Sequence, residues 1–285
     1  MKKIADYTLM EEIGSGSQGY VYRALRNGRE YACKVSEDER TLEREGKILK
    51  TIMSRRLNIP EYSEYFKTDK GYLFMEYIKG VSLDKYMMLL RKNVNNNSRY
   101  EREEYHKMIY DIIKGVAKIL KNIHDLKQPL IYMDLKTENI LIKNNNKPYL
   151  IDFGSALYLN EGRSVITGTR GYGAREQFVK GGKVGLYTDV YAFGRLAHYM
   201  LTGDSPYLPP YEKPPIREYD SMLSKELSNL LAACTVEDTS LRPPDMGYVC
   251  DRLEKITPVS KGLGQIFARS HYEGEFVYIK NVVLR

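Results

Sequence analysis

The sequence predicts an α+β protein of two unequal parts, a small strand-rich lobe followed by a larger helical one. Three observations predict it. Before residue 80 the apolar residues come in short runs broken by glycines, as strands and turns require. After Gly80 they recur at helical spacing, most clearly at Met108, Ile109, Ile112, Ile113, Val116, Ile119, Leu120 and Ile123. The chain has 285 residues, 42% of them apolar, enough to bury a core without staples.

The elements follow in order. Tyr7 to Met10 leads as a strand into a glycine cluster, and Gly19 to Tyr22 leads out of it. Arg26-Asn27-Gly28-Arg29 is a tight-turn signal, and Glu30 to Val35 is the next strand. Residues 39–53 form a helix, and Gly71 to Ile78 is strand again. Arg91 to Glu104, with Asn95-Asn96-Asn97, reads as an exposed loop before a helix over 103–125. Two short apolar runs, Leu130 to Ile142 and Tyr149 to Phe153, flank a hairpin turn at Asn144 to Pro148. Helices follow over 188–202, 221–233 and 245–256. Five prolines between Asp204 and Pro215 exclude regular structure there. Glu275 to Ile279 reads as an added strand or a docking tail.

Composition narrows the partners. Against 44 Lys and Arg stand 37 Asp and Glu, for a net charge of +7. The basic residues are scattered, so the balance suits an anionic ligand and not a nucleic-acid stripe. Cys33, Cys234 and Cys250 lie far apart without a C-x-x-C pair, which reads as reduced core thiols. No run of 18 apolar residues occurs, so no membrane span is expected. Acidic residues stand where a signal peptide would carry its apolar core, so a cytoplasmic location is expected.

Three constellations carry chemistry. Gly14-Ser15-Gly16-Ser17-Gln18-Gly19 is a G-x-G-x-x-G run. It lies between two strand-like runs and not before a helix, so it resembles a hairpin whose amides close over phosphates. Lys34 sits in the apolar strand Tyr31 to Val35, either turned outward on an edge or held inward by a partner. In the helix over 39–53, at about 100° per residue, Glu45 falls on the apolar face between Leu42 and Leu49. An acid there needs a partner, and Lys34 supplies one. Finally, Asp134, Lys136 and Asn139 lie within one short apolar-flanked run, and Asp152 closes the strand Leu150-Ile151 at Gly154. Each acid could cap a turn, act as a base or bind a metal. An amide and a carboxylate together suit Mg²⁺, which takes oxygen ligands.

In this order and spacing the motifs resemble a eukaryotic-like Ser/Thr protein kinase domain of the bacterial type, over residues 7 to about 256. The resemblance implies a bilobal kinase fold. Residues 1–78 would form the nucleotide-binding lobe and 79–257 the lobe with the catalytic loop and activation segment, leaving 258–285 as a tail. ATP would lie among Ile13, Gly14, Gly16, Gly19, Val21, Ala32, Lys34 and Leu141, with Met75 as gatekeeper and Glu76, Tyr77 and Ile78 as hinge. The resemblance makes Asp134 the catalytic base, Lys136 an aid to the transferred phosphate, and Lys34 the phosphate-binding lysine with Glu45 as its partner. Asn139 and Asp152 would hold Mg²⁺, or Mn²⁺ in its place. Gly168 to Tyr172 resembles the end of an activation segment, and Glu176 and Arg242 a structural pair.

The departures shape the expectation. The usual His-Arg-Asp reads Tyr132-Met133-Asp134, and the usual Ala-Pro-Glu reads Ala174-Arg175-Glu176. Met133 has no charge to receive a phosphate, so activity is expected to depend weakly on activation-segment phosphorylation, though autophosphorylation is expected. The implied reaction is transfer of the ATP γ-phosphate to protein Ser or Thr hydroxyls. Two alternatives are a pseudokinase that binds nucleotide as a scaffold and a small-molecule phosphotransferase.

Overall fold

The computed structural model describes residues 2–16, 18–93, 98–161, 167–209 and 212–260. Asn95 to Asn97 and the strand or tail expected at Glu275 to Ile279 lie outside these residues.

The first part is a six-stranded antiparallel sheet. Its strands are β1 (Lys3–Ile4), β2 (Tyr7–Gly16), β3 (Gly19–Arg26), β4 (Arg29–Ser36), β5 (Tyr62–Lys67) and β6 (Gly71–Glu76), in the order β1-β2-β3-β4-β6-β5. Asn27 and Gly28 both take positive φ, 50° and 76°, as the tight turn between β3 and β4 demands. Side chains alternate faces along β4, and the alternation sorts chemistry from packing. Cys33 and Val35 join Tyr7, Tyr72 and Phe74 in an apolar cluster on one face. Ala32 and Lys34 point to the other, in register with Met75 and Leu73 of β6.

Helix α1 (Glu39–Ile52) lies between β4 and β5 in the chain. Asp38 caps it by accepting from the Thr41 amide at 3.1 Å. Its buried stripe is Leu42, Glu45, Gly46, Ile48, Leu49 and Ile52, so the acid does fall among the apolar residues.

The second part is mainly helical. Its helices are α2 (Leu83–Asn93), α3 (Arg99–His124), α4 (Leu186–Thr202), α5 (Ile216–Tyr219), α6 (Lys225–Cys234) and α7 (Met246–Leu253). The loop expected from Arg91 to Glu104 is shorter than the sequence suggests. Helix α2 runs through Asn93, and α3 starts at Arg99 because the Ser98 hydroxyl accepts from the Glu101 amide. Strands β7 (Val81–Ser82), β9 (Ile140–Lys143) and β10 (Lys147–Leu150) form a small sheet, while β8 (Leu130–Ile131) pairs with β11 (Leu157–Tyr158). The β9–β10 hairpin turns on Asn145 and Asn146, both at positive φ. One continuous core runs from the inner sheet face, through Leu73 and Met75, into helices α3, α4, α6 and α7. This is a bilobal α+β architecture, as the sequence predicts. Among the described residues no helix is long and apolar enough to cross a membrane.

Candidate active site

A cavity of about 580 Å³ opens between the sheet and the helical part. Ile13, Gly14, Gly16, Gly19, Val21, Ala32, Lys34, Glu45 and the run from Met75 to Ile78 line it from one side. Asp134, Lys136, Asn139, Leu141 and Asp152 line it from the other. Every residue nominated from the sequence thus meets in one cleft. The β2–β3 hairpin that roofs it depends on Gly19. That residue sits at φ +124°, and a Cβ there would lie 2.0 Å from the carbonyl oxygen of Val35.

Lys34 is the electrostatic centre. Its Nζ donates to Glu45 Oε2 at 2.8 Å, to Asp152 Oδ1 at 2.7 Å and to Gln18 Oε1 at 2.8 Å. The lysine is only 5% exposed and Glu45 only 1%. Burial pulls the lysine pKa down, but the Glu45 and Asp152 carboxylates more than offset it, so Lys34 is held above the ordinary lysine value. Burial raises the Glu45 carboxyl, against the opposing pull of Lys34. The second oxygen of Glu45 accepts from the Phe153 amide at 3.0 Å, so one buried acid fixes both the lysine and the start of the following turn.

The catalytic-loop candidates hang on helix α4. Asp189 accepts from the Tyr132 amide at 2.7 Å, the Met133 amide at 2.9 Å and His124 Nε2 at 3.0 Å. These bonds hold Met133 at φ +74°, a region that side chains other than glycine seldom occupy. The turn delivers Asp134 into the cleft. Thr169 Oγ1 donates to Asp134 Oδ1 at 2.6 Å, Lys136 Nζ lies 3.0 Å from Oδ2, and Asn139 Nδ2 donates to Oδ2 at 3.1 Å. Asp134 is therefore aimed from three sides, and one of its partners is already an alcohol. Tyr132 packs edge-on against Phe153, with ring centroids 5.2 Å apart, and its hydroxyl donates to the Ile151 carbonyl.

The donor set also suits a hard cation. Asp152 spends Oδ1 on Lys34 and the Gly154 amide, and Asn139 spends Nδ2 on Asp134. Asp152 Oδ2 and Asn139 Oδ1 carry no hydrogen bond among the described residues, and both residues line the cleft. One carboxylate and one amide oxygen, completed by phosphate oxygens and water, match how Mg²⁺ is held at phosphoryl-transfer sites. Among the described residues there is no group of three or more His, Cys, Asp or Glu that would cage a metal without a substrate.

Two residues escaped the sequence reading. Gln177, 1% exposed, accepts from the Ala174 amide at 2.9 Å and donates to the carbonyls of Met133 at 2.8 Å and Thr167 at 3.0 Å. It ties the catalytic loop to the segment after it. Arg44, beside Glu45 on α1, donates to the carbonyl of Ala156 and pairs with Glu161. Below them Arg242 Nη1 donates to Glu176 Oε1 at 2.8 Å, and Thr188 Oγ1 donates to the same oxygen at 3.1 Å. Met133 is packed with Ile131 and Leu157 and flanked by Val184 and Leu186. The cysteines stay apart from this site as free thiols, and burial pushes those of Cys33 and Cys234 up to about 12.

Comparison with known proteins agrees with this geometry. The family model for the protein kinase domain matches residues 7–250. Calcium-dependent protein kinase 31 of Arabidopsis thaliana is 30% identical over 218 residues, covering 71% of this chain and 43% of that protein. A titin homolog of Caenorhabditis elegans is 30% identical over 214 residues, covering 72% of this chain and 1% of its own length. Serine/threonine-protein kinase pakA of Dictyostelium discoideum is 28% identical over 264 residues, covering 85% and 20% respectively. The chain spans less than half the length of each of these relatives.

Proposed function

The chain belongs to the protein kinase family, and on that premise we propose that it transfers the γ-phosphate of MgATP to serine and threonine hydroxyls of proteins. The observation that carries the reading is Asp134, aimed into the cleft beside Lys136 and already accepting a hydrogen bond from the Thr169 hydroxyl at 2.6 Å. Relatives named as serine/threonine-protein kinases support the hydroxyl specificity.

On this reading each residue takes a role that its position in the cleft supports. Asp134 orients the acceptor hydroxyl and takes its proton as the O–P bond forms. Lys136 and Lys34 offset charge on the phosphate oxygens, and Glu45 keeps Lys34 in place. Val21, Ala32, Met75 and Leu141 supply the apolar walls for the adenine, and Glu76 to Ile78 its backbone edge. Asn139 and Asp152 would hold Mg²⁺, which would supply charge neutralisation at the phosphates. Residues 1–78 serve nucleotide binding, and 79–257 serve catalysis and substrate binding. The cytoplasm, where MgATP is abundant, is the compartment this chemistry suits.

The test is transfer of labelled γ-phosphate to a generic protein acceptor. Phosphoserine or phosphothreonine should appear with Mg²⁺ and vanish with EDTA. Nucleotide binding without any transfer would favour the scaffold alternative.

We further propose that transfer does not wait on phosphorylation of the activation segment. Met133 stands where the family carries a phosphate-binding arginine, and it is packed among apolar side chains. Contacts that need no phosphate, from Arg44 to Ala156 and from Gln177 to Met133 and Thr167, hold described residues at either end of the segment. Ser164, itself outside the described residues, and Thr167 are the hydroxyls to remove. The Ser164→Ala/Thr167→Ala double variant should keep turnover within about three-fold of the parent, a difference of about 0.7 kcal/mol or less. Loss of nearly all turnover in that variant refutes this part of the proposal.

A further inference from the structure

Four basic side chains stand exposed on the segment leaving Thr169: Arg170, Arg175, Lys180 and Lys183. Elsewhere exposed cations often take a carboxylate one helical turn away, as Lys47 does with Glu43 and Arg99 with Glu103. Here, among the described residues, no carboxylate lies within ion-pair distance of any of the four. The one acid between 167 and 185 is Glu176, which Arg242 and Thr188 already occupy. Arg170 is held over the ring of Phe178, at 5.5 Å from its centroid, which fixes its position without neutralising it.

The backbone presenting Arg170 and Arg175 is anchored to the catalytic loop. The amides of Tyr172 and Gly173 donate to the Thr169 carbonyl at 3.2 and 2.8 Å, and Gln177 reaches Met133 and Thr167. Arg170 is the next residue after the threonine whose hydroxyl touches Asp134. On the adjoining catalytic loop the exposed acid, Glu138, is hydrogen-bonded by Tyr207 Oη at 2.8 Å and by Thr137 Oγ1 at 3.0 Å. Those hydroxyls are neutral and leave Glu138 charged, so one carboxylate faces the unpaired cations of this segment and the balance is positive. A surface of this kind steers and retains segments of opposite sign.

We propose that this surface selects protein substrates whose acceptor serine or threonine is flanked by aspartate and glutamate. The proposal rests on the phosphotransfer reading above and names its substrate class. Arg175, which replaces the expected proline, and Arg170 are its specificity-determining residues.

The experiment uses three peptides with one serine and otherwise identical sequence, flanked by Asp, Ala or Lys. At low ionic strength the Asp peptide should exceed the Lys peptide about 10-fold in kcat/KM. Raising the salt toward 0.5 M, where screening reaches within a few ångströms, should shrink that ratio toward one. The Arg170→Glu/Arg175→Glu variant should reverse the order, and Lys180→Glu/Lys183→Glu should weaken it and serves where the first variant does not fold. Fluorescence anisotropy of the same peptides on Asp134→Asn protein reads the surface without transfer. If no peptide is phosphorylated but the Asp peptide binds tighter, and charge reversal removes that advantage, the surface stands and the phosphotransfer reading falls. Equal or Lys-favouring kcat/KM and binding overturns the proposal. So does an Asp preference that survives both charge reversals.

Discussion

On the proposed reading, Asp134→Asn should lower phosphate transfer by about 10²–10⁴-fold, the range that a positioned general base contributes. The substitution keeps the shape of the side chain and removes its charge. Asp134 now accepts from Thr169, Lys136 and Asn139 together. An asparagine would turn an amide donor toward one or more of these donors, which scrambles the aim as well as the basicity. The loss should appear in kcat, with little change in KM for ATP, because Asp134 makes no bond to Lys34 or Asp152. Steady-state transfer of labelled phosphate, with a nucleotide-binding titration beside it, separates the two. A variant that keeps more than a tenth of its turnover would remove Asp134 from the chemistry.

Asp189→Ala is expected to damage the fold as much as the activity. The carboxylate is 1% exposed and accepts from two backbone amides and a buried histidine. Alanine leaves those donors without partners, and each buried unpaired donor costs about 1–3 kcal/mol. Together they amount to about 3–5 kcal/mol, as for other broken buried polar clusters. For a domain of this size that corresponds to a fall in Tm of about 10 °C. Activity should fall further than stability predicts, because Met133 loses the bonds that hold its positive φ and Asp134 loses its aim. Calorimetry and transfer assays on Asp189→Ala and Asp189→Asn check this. The asparagine keeps an acceptor oxygen and should recover part of both losses. A Tm within about 3 °C of the parent for the alanine variant contradicts the account.

How far the sequence foretells this molecule depends on where each residue's partner lies. Glu45 was legible because a helix face repeats every few residues, so one acid among Leu42 and Leu49 betrays a buried ion pair. Asp134, Asn139 and Asp152 were legible as an ordered set of polar residues in apolar runs. Strand β5 was not, since Tyr-Ser-Glu-Tyr-Phe-Lys is half-buried along its length and shows no clean alternation. The start of α3 was misplaced because the Ser98 cap lies next to an asparagine run that reads as loop. Gln177 and Arg44 left no trace at all. Their chief partners are main-chain carbonyls of distant residues, and a carbonyl has the same appearance at every position in a sequence.

The contact between Gln18 and Lys34 has a thermodynamic consequence. Gln18 Oε1 lies 2.8 Å from Lys34 Nζ, its amide donates to Ser155 Oγ at 3.3 Å, and it rests where a side chain at Gly154 would be. On the proposed reading, the tip of the glycine-rich hairpin is thus an intramolecular ligand for the cation that a nucleotide phosphate would reach. Any nucleotide that binds there has first to displace it. Its apparent dissociation constant is then the intrinsic one divided by the fraction of molecules in which the tip is lifted. On the same reading, the protein's own glutamine competes with any nucleotide for Lys34 and weakens the hold on substrate and product alike.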